Sequence, residues 1–213
     1  MLPQAREVLI PAEGLQLEGT LALPDGARGV VAFAHGSGSG RFSPRNAFVA
    51  RSLQLAGIAT LLFDLLTREE DRDYERRFDI ALLARRLLSA TAWLRADPGT
   101  RDLRLGYFGA STGAAAALQA AALLGGAISA VVSRGGRPDL AGEQALQAVK
   151  APTLLIVGGF DDVVIELNRQ AGALMRCPKE IIIVPGATHL FEEPGTLEQA
   201  AQAAAGWFAR CFA

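Results

Sequence analysis

The chain has 213 residues, of which 50% are hydrophobic and 20% charged, and its formal net charge is −1. That length suits one sizeable core and is short for two, so a single domain over residues 1–213 is expected. A charge so near balance, with scattered arginines, excludes bulk electrostatic attraction to nucleic acid or to an acidic membrane surface.

The chain opens MLPQAREVLI, without a basic segment leading into an apolar one, and every apolar run is broken well short of a membrane span. A cytoplasmic location is therefore expected. Arg6 to Ile10 and Leu15 to Leu23 read as two strands joined by a turn at Glu13-Gly14. Gly29 to Ala34 is a short apolar run that suits a strand buried on both faces. A loop rich in Gly and Ser follows, and Ser43-Pro44 opens a helix that runs to Ala56 and stops at Gly57. Ile58 to Phe63 is the next buried strand. Glu75 to Arg95 carries Phe78, Leu82, Leu83, Leu87, Trp93 and Leu94 at helical spacing and ends at Asp97-Pro98-Gly99.

Leu103 to Phe108 reads as a strand, and Thr112 to Leu124 as an alanine-rich helix ended by Gly125-Gly126. Ile128 to Ser133 is a strand and Asp139 to Val149 a helix. Thr153 to Val157 is a strand, with a helix over Ile165 to Met175. Glu180 to Val184 is the last strand, and a helix over Thr196 to Arg210 closes the chain. Strands alternating with helices predict an α/β fold, a mostly parallel sheet covered on both faces. Ligands of such sheets bind beyond the carboxyl ends of the strands, so the residues just after each strand carry the functional signal.

After the fifth strand stands Gly109-Ala110-Ser111-Thr112-Gly113. Strand, serine and helix in succession are what a nucleophile elbow requires. The plainer reading makes Ser111 a helix N-cap. An alcohol needs a base, and the chain has two histidines, His35 and His189. His189 follows the last strand in a Pro-Gly loop that can carry an imidazole over the sheet edge, or it is a surface histidine in a turn. The base needs a carboxylate behind it. Gly158-Gly159-Phe160-Asp161-Asp162 supplies two, which cannot both face one ring. The order serine, acid, histidine is the chain order of α/β-hydrolase triads. For the oxyanion, the backbone N–H of Thr112 is the first donor and the N–H of Ser37, in His35-Gly36-Ser37-Gly38-Ser39-Gly40, the second. His35 is left to anchor that loop. Two cysteines, Cys177 and Cys211, indicate neither a disulfide framework nor a metal site.

The chain resembles α/β-hydrolases, and within them the dienelactone-hydrolase-like group, over nearly its full length. The segments that carry the likeness are AHGSGSGRFSPRN, FDLLTREE, GYFGASTGAAAAL, VVSRGGRPDLAG, APTLLIVGGFDDVVIELN and VPGATHLFEEPGTLEQA. The resemblance implies an eight-stranded sheet with the second strand antiparallel. It also implies a triad of Ser111, Asp161 and His189, leaving Asp162 to cap a helix. Dienelactone hydrolase proper uses a cysteine nucleophile, and this chain has Ser111. Ester-type acyl chemistry is therefore implied, and the dienelactone substrate is not. Members of the group also occur as a module fused to a phosphoribosyltransferase domain, for which this length leaves no room.

Arg134 and Arg137 flank two glycines after the sixth strand. They could clamp a substrate carboxylate or phosphate, or be tied to an acid such as Asp64 or Glu69. Glu69, Glu70, Glu192 and Glu193 read as solvated or capping. Only Arg134 to Lys150 separates the sixth and seventh strands, so no cap domain fits and a shallow pocket for small substrates is expected. The whole reading is a serine hydrolase of small esters, lactones or thioesters, without cofactor or metal; whether it pairs as a homodimer is open. Two rivals remain. One is a silent binding protein on the same fold. The other is a Rossmann-type nucleotide domain using Gly36, Gly38, Gly40 and Asp64, though Arg41 breaks the glycine fingerprint.

Overall fold

The computed structural model describes Pro3 and residues 5–213. Met1, Leu2 and Gln4, part of the stretch read for a signal peptide, lie outside the described residues. The strands are β1 (Ala5–Ala12), β2 (Leu15–Ala22), β3 (Gly29–Ala34), β4 (Ala59–Phe63), β5 (Arg104–Ala110), β6 (Ala130–Arg134), β7 (Thr153–Gly158) and β8 (Lys179–Val184). The helices are α1 (Pro44–Leu55), α2 (Ile80–Ala96), α3 (Thr112–Leu124), α4 (Glu143–Ala148), α5 (Asp162–Leu174) and α6 (Thr196–Cys211).

The strands form one eight-stranded sheet in the order β1-β2-β4-β3-β5-β6-β7-β8. β2 runs antiparallel to both neighbours, and every pairing from β4 to β8 is parallel. The chain steps from β3 outward to β4, then returns across β3 to β5. The order thus reverses between β3 and β5, and the carboxyl end of β5 is where such sheets bind ligands. β2 occupies the place beside β4 that a dinucleotide fold gives to a parallel strand.

Period-2 alternation sends successive residues of a strand to opposite faces. Val31 and Phe33 of β3 join one core cluster with Val49 and Leu53 of α1 and Ala204, Trp207 and Phe208 of α6. Val30, Ala32 and Ala34 join the other, with Leu83 and Leu87 of α2 and Ala115 to Leu118 of α3. The alanines let α3 lie close against the sheet, which brings its N-terminus up to the end of β5. Among the described residues, no helix is long and apolar enough to cross a membrane.

Three helices differ from their sequence reading; one of them, α5, starts at Asp162 rather than Ile165. α2 starts at Ile80 rather than Glu75, because the Asp79 carboxylate accepts the Leu82 N–H at 2.9 Å and sets the N-cap there; Arg76–Phe78 form a 3-10 turn instead. The helix read over Asp139 to Val149 is broken into a 3-10 turn, Pro138–Ala141, and the short α4, with Gly142 at φ +83° between them.

Candidate active site

Ser111 sits between β5 and α3 with φ 51° and ψ −121°, a backbone region that costs an L-residue about 1–3 kcal/mol. The surroundings hold it there. Its N–H donates to the Arg134 carbonyl at 3.3 Å, and its own carbonyl accepts from the N–H groups of Ala114 and Arg137, each at 3.1 Å. A Cβ on Gly113 would clash with the carbonyl oxygens of Ala34 and His35, and one on Gly109 would lie 2.7 Å from the Ala114 nitrogen. Both glycines are therefore demanded by close packing of strand and helix. Ser111 occupies the N-cap position of α3, but its hydroxyl makes no cap bond to the helix.

His189 and Asp161 meet, with Nδ1 to Oδ2 at 2.6 Å. Asp161 stands at the N-cap of α5 without capping it, so its carboxylate is left for the ring. The two loops are stitched together: Gly159 N–H donates to the Val184 carbonyl at 2.8 Å and Phe160 N–H to the Ala187 carbonyl at 2.9 Å. On the far side, Glu193 accepts from the Thr188 N–H at 3.0 Å and the Thr188 hydroxyl at 2.6 Å, bonds that also lower its pKa. Glu193, open to solvent, thus braces the histidine loop by capping the Thr188 N–H. A ring whose Nδ1–H faces a carboxylate presents a bare Nε2. Ser111 and His189 line one cavity of about 240 Å³ with Ser37, Arg45, Asn46 and Arg134. Among the described residues there is no direct hydrogen bond between Ser111 and His189.

The Ser37 N–H, read as an oxyanion donor, donates to the Thr112 hydroxyl at 2.9 Å. The N–H of Thr112, in the first turn of α3, has no carbonyl of its own helix to bond. His35 is 6% exposed. Its Nε2 accepts the Leu65 N–H at 3.0 Å and its Nδ1 faces the Gly36 carbonyl at 3.0 Å, so the ring ties the loop after β3 to the end of β4. Burial holds its pKa below the ordinary imidazole range. Asp64 accepts from the Arg41 backbone N–H at 2.8 Å and pairs with the Arg41 guanidinium at 3.4 Å, so it is engaged within the protein rather than free for a ribose.

The two arginines after β6 part company. Arg137 is bidentate on Asp139, at 2.9 and 2.7 Å, and lies outside the cavity lining; its partner is neither Asp64 nor Glu69. Arg134 is buried, lines the cavity, and lies 5.9 Å from the ring centres of Phe108 and Phe191.

The model of the family described as "Dienelactone hydrolase family" matches residues 17–212. The chain belongs to the dienelactone hydrolase family. This family member is 55% identical to a dienelactone hydrolase from Anabaena variabilis ATCC 29413, and superposes on its crystal structure with a TM-score of 0.95 over 99% of both chains. It is also 58% identical over 202 residues to a Mycobacterium tuberculosis H37Rv protein named "Putative phosphoribosyl transferase", covering 95% of this chain and 45% of that protein. The chain therefore spans about half the length of the curated relatives it matches. Est1E from Butyrivibrio proteoclasticus, 16% identical, shares the fold with a TM-score of 0.82 over 96% of this chain and 98% of its own.

Three side chains of this dienelactone hydrolase family member went unnoticed in the sequence. Arg45 and Asn46, in the first turn of α1, line the cavity. Asn168 of α5 donates through Nδ2 to the carbonyls of Gly136, at 3.0 Å, and Val164, at 2.8 Å, holding the loop whose Arg137 N–H grips Ser111. A signal was present for both asparagines. Asn46 shares the buried stripe of α1 with Val49, Ala50 and Leu53, and Asn168 that of α5 with Val164, Ile165, Ala171 and Gly172. An amide on an apolar stripe must find polar work inside.

Proposed function

We propose that this hydrolase is a serine enzyme acting on small ester-like substrates, with Ser111 as nucleophile, His189 as base and Asp161 orienting the ring. Nε2 of His189 takes the hydroxyl proton as Oγ attacks the acyl carbon. The tetrahedral intermediate collapses, and the leaving alcohol or thiol departs with that proton. Water, deprotonated by the same ring, then attacks the acyl-enzyme, and the acid leaves as Oγ regains a proton. Throughout, Asp161 keeps Nδ1 protonated and stabilises the imidazolium. The developing oxyanion is assigned to the N–H groups of Thr112 and Ser37. For the second donor to serve, the Thr112 hydroxyl that now accepts the Ser37 N–H must yield it.

The observation that carries this reading is the strained backbone of Ser111, φ 51°, held at the rim of a cavity that His189 also lines, with Asp161 behind the ring. The relatives named for a transferase are about twice as long as this chain, and the hydrolase family match covers nearly all of it, so hydrolysis rather than phosphoribosyl transfer is assigned to these residues. The test is labelling by a fluorophosphonate probe, with turnover of p-nitrophenyl acetate. Wild type should label and turn over; Ser111→Ala should not label and should lose at least about 10³ in turnover.

A silent binding protein is the second reading. It is favoured by two features: the absent Ser111–His189 hydrogen bond, and the Ser37 donor already occupied by Thr112. An unlabelled wild type that is inert toward short esters, lactones and thioesters would favour it, or a pocket too closed for the probe.

A further inference from the structure

The two edges of the sheet are unlike. β1 forms one and carries Arg6, Glu7 and Pro11; charge on an edge, and a residue without an N–H, discourage pairing with another chain. β8 forms the other and pairs with β7 alone. Its sequence is Lys-Glu-Ile-Ile-Ile-Val, and Ile181 is 37% exposed. The lysine that could guard this edge is turned away, with Lys179 Nζ donating to the Met175 carbonyl at 2.8 Å.

The free backbone groups of β8 follow from its bonds to β7. The Thr153 N–H donates to the Pro178 carbonyl at 2.9 Å, and the Gly159 N–H to the Val184 carbonyl at 2.8 Å. A strand residue sends its N–H and C=O to one side, and the next residue sends them to the other. The even-numbered residues therefore face β7, and the N–H and C=O groups of Lys179, Ile181 and Ile183 point out of the sheet. Among the described residues, no backbone bond from another element meets them. Beside this row lies a groove of about 360 Å³, lined by Ile182 of β8 and by Gln199, Gln202, Ala203 and Gly206 of α6. Its charged lining residues, Glu180 and Arg210, pair with each other at 3.8 Å.

We propose that β8 is a self-association edge, and that two copies of this chain join through antiparallel β8 strands into one continuous sheet. A two-fold axis perpendicular to the sheet keeps each side chain on its own face, so the outward-pointing residues pair only with each other. Centred on Ile181, the axis sets Ile181 against Ile181 of the partner subunit and Lys179 against Ile183 of the partner subunit. Centred on Ile182, it would set Lys179 against Pro185 of the partner subunit, which has no N–H to give. Stable interfaces bury about 1,200–2,000 Å², more than a strand edge offers, so flanking helices must meet as well. α6 permits this, because its flank beside β8 is uncharged from Gln199 to Gly206 and narrow at Ala203 and Gly206. A net charge of −1 opposes the association little. Among the described residues, none of β8 or α6 lines the cavity of Ser111 and His189, so both sites stay open in the pair.

Sedimentation equilibrium of the full chain at tens of micromolar should give twice the 22.4 kDa of one copy. Ile181→Pro removes an outward N–H that makes no bond within the chain, and Ile181→Lys puts a charge into the ladder. Each should raise the dissociation constant of the dimer at least about tenfold and keep the circular dichroism of the fold. Leu9→Lys, at a position 61% exposed on β1, should leave the mass doubled. Amide exchange should find the Ile183 N–H slow in wild type and fast in Ile181→Lys. A wild type that stays monomeric overturns the pairing and leaves the edge to some other protein. A dimer that survives both changes at Ile181, that dissociates on Leu9→Lys, or in which the Ile183 N–H exchanges fast overturns it too. If Ile181→Pro does not fold, Ile181→Lys decides, since that side chain is partly open to solvent.

Discussion

The carboxylate of Asp161 lies 2.6 Å from Nδ1 of His189, while Asp162, the next residue, is exposed in the first turn of α5. Neighbours in sequence are thereby given opposite tasks by one turn of backbone. Asp161→Asn should lower turnover of p-nitrophenyl acetate by roughly 10³–10⁴, since an amide no longer fixes the tautomer that bares Nε2. Asp162→Asn should change it less than about threefold, as expected for an exposed residue away from the reacting atoms. Comparable losses in the two variants would remove Asp161 from its role.

Strain at Ser111 makes a stability prediction independent of the chemistry. Ser111→Ala removes the hydroxyl and keeps the unfavourable backbone; Ser111→Gly removes both. The glycine variant should be the more stable of the two by about 1 kcal/mol in urea unfolding, because only glycine takes φ 51° without penalty. An alanine variant as stable as the glycine variant would mean that the elbow is relaxed.

Gly113 and Gly126 begin and follow the same helix in different surroundings. A Cβ on Gly113 meets backbone carbonyl oxygens that cannot swing aside, and one on Gly126 meets nothing within 4 Å. Gly113→Ala should cost about 1–3 kcal/mol and depress turnover with it, through overpacking under the nucleophile. Gly126→Ala should stay within about 0.5 kcal/mol of wild type. Chemical denaturation of the pair is the check.

His35 predicts a pH dependence of stability. Both of its ring bonds suit the neutral form, and its folded-state pKa lies below the ordinary value because of burial. In the unfolded chain the ring takes up a proton near pH 6.5. As pH falls below about 6.5, the unfolded chain binds a proton that the folded chain refuses, so stability falls until the folded-state pKa is reached. Above that window the contribution is complete. Urea midpoints at pH 7.5 and 5.5 should differ more for wild type than for His35→Gln; equal differences would show that His35 is not responsible.

Much of the site is visible in the linear chain. The apolar run into Gly109-Ala110-Ser111-Thr112-Gly113 and on into alanines is a local pattern, and strand, elbow and helix follow from local preferences and small side chains. The alternation of elements led to the parallel sheet, and the sheet to the carboxyl-end loops as the place to look. The helix boundaries at Asp79 and Gly142 were misread because one cap and one positive φ outweighed hydrophobic spacing over a few residues.

What the sequence determined by itself is the set of groups available: one serine on an elbow, two histidines, and a pair of adjacent aspartates. What only the tertiary structure decided is how they are spent. The stitching of the β7 and β8 loops gave Asp161 to His189, Asp139 took Arg137 away from the cavity, and β6 left Arg134 buried without a partner. Pairing of charges depends on distances across chain segments far apart in sequence, and no local pattern encodes which acid a given arginine will reach.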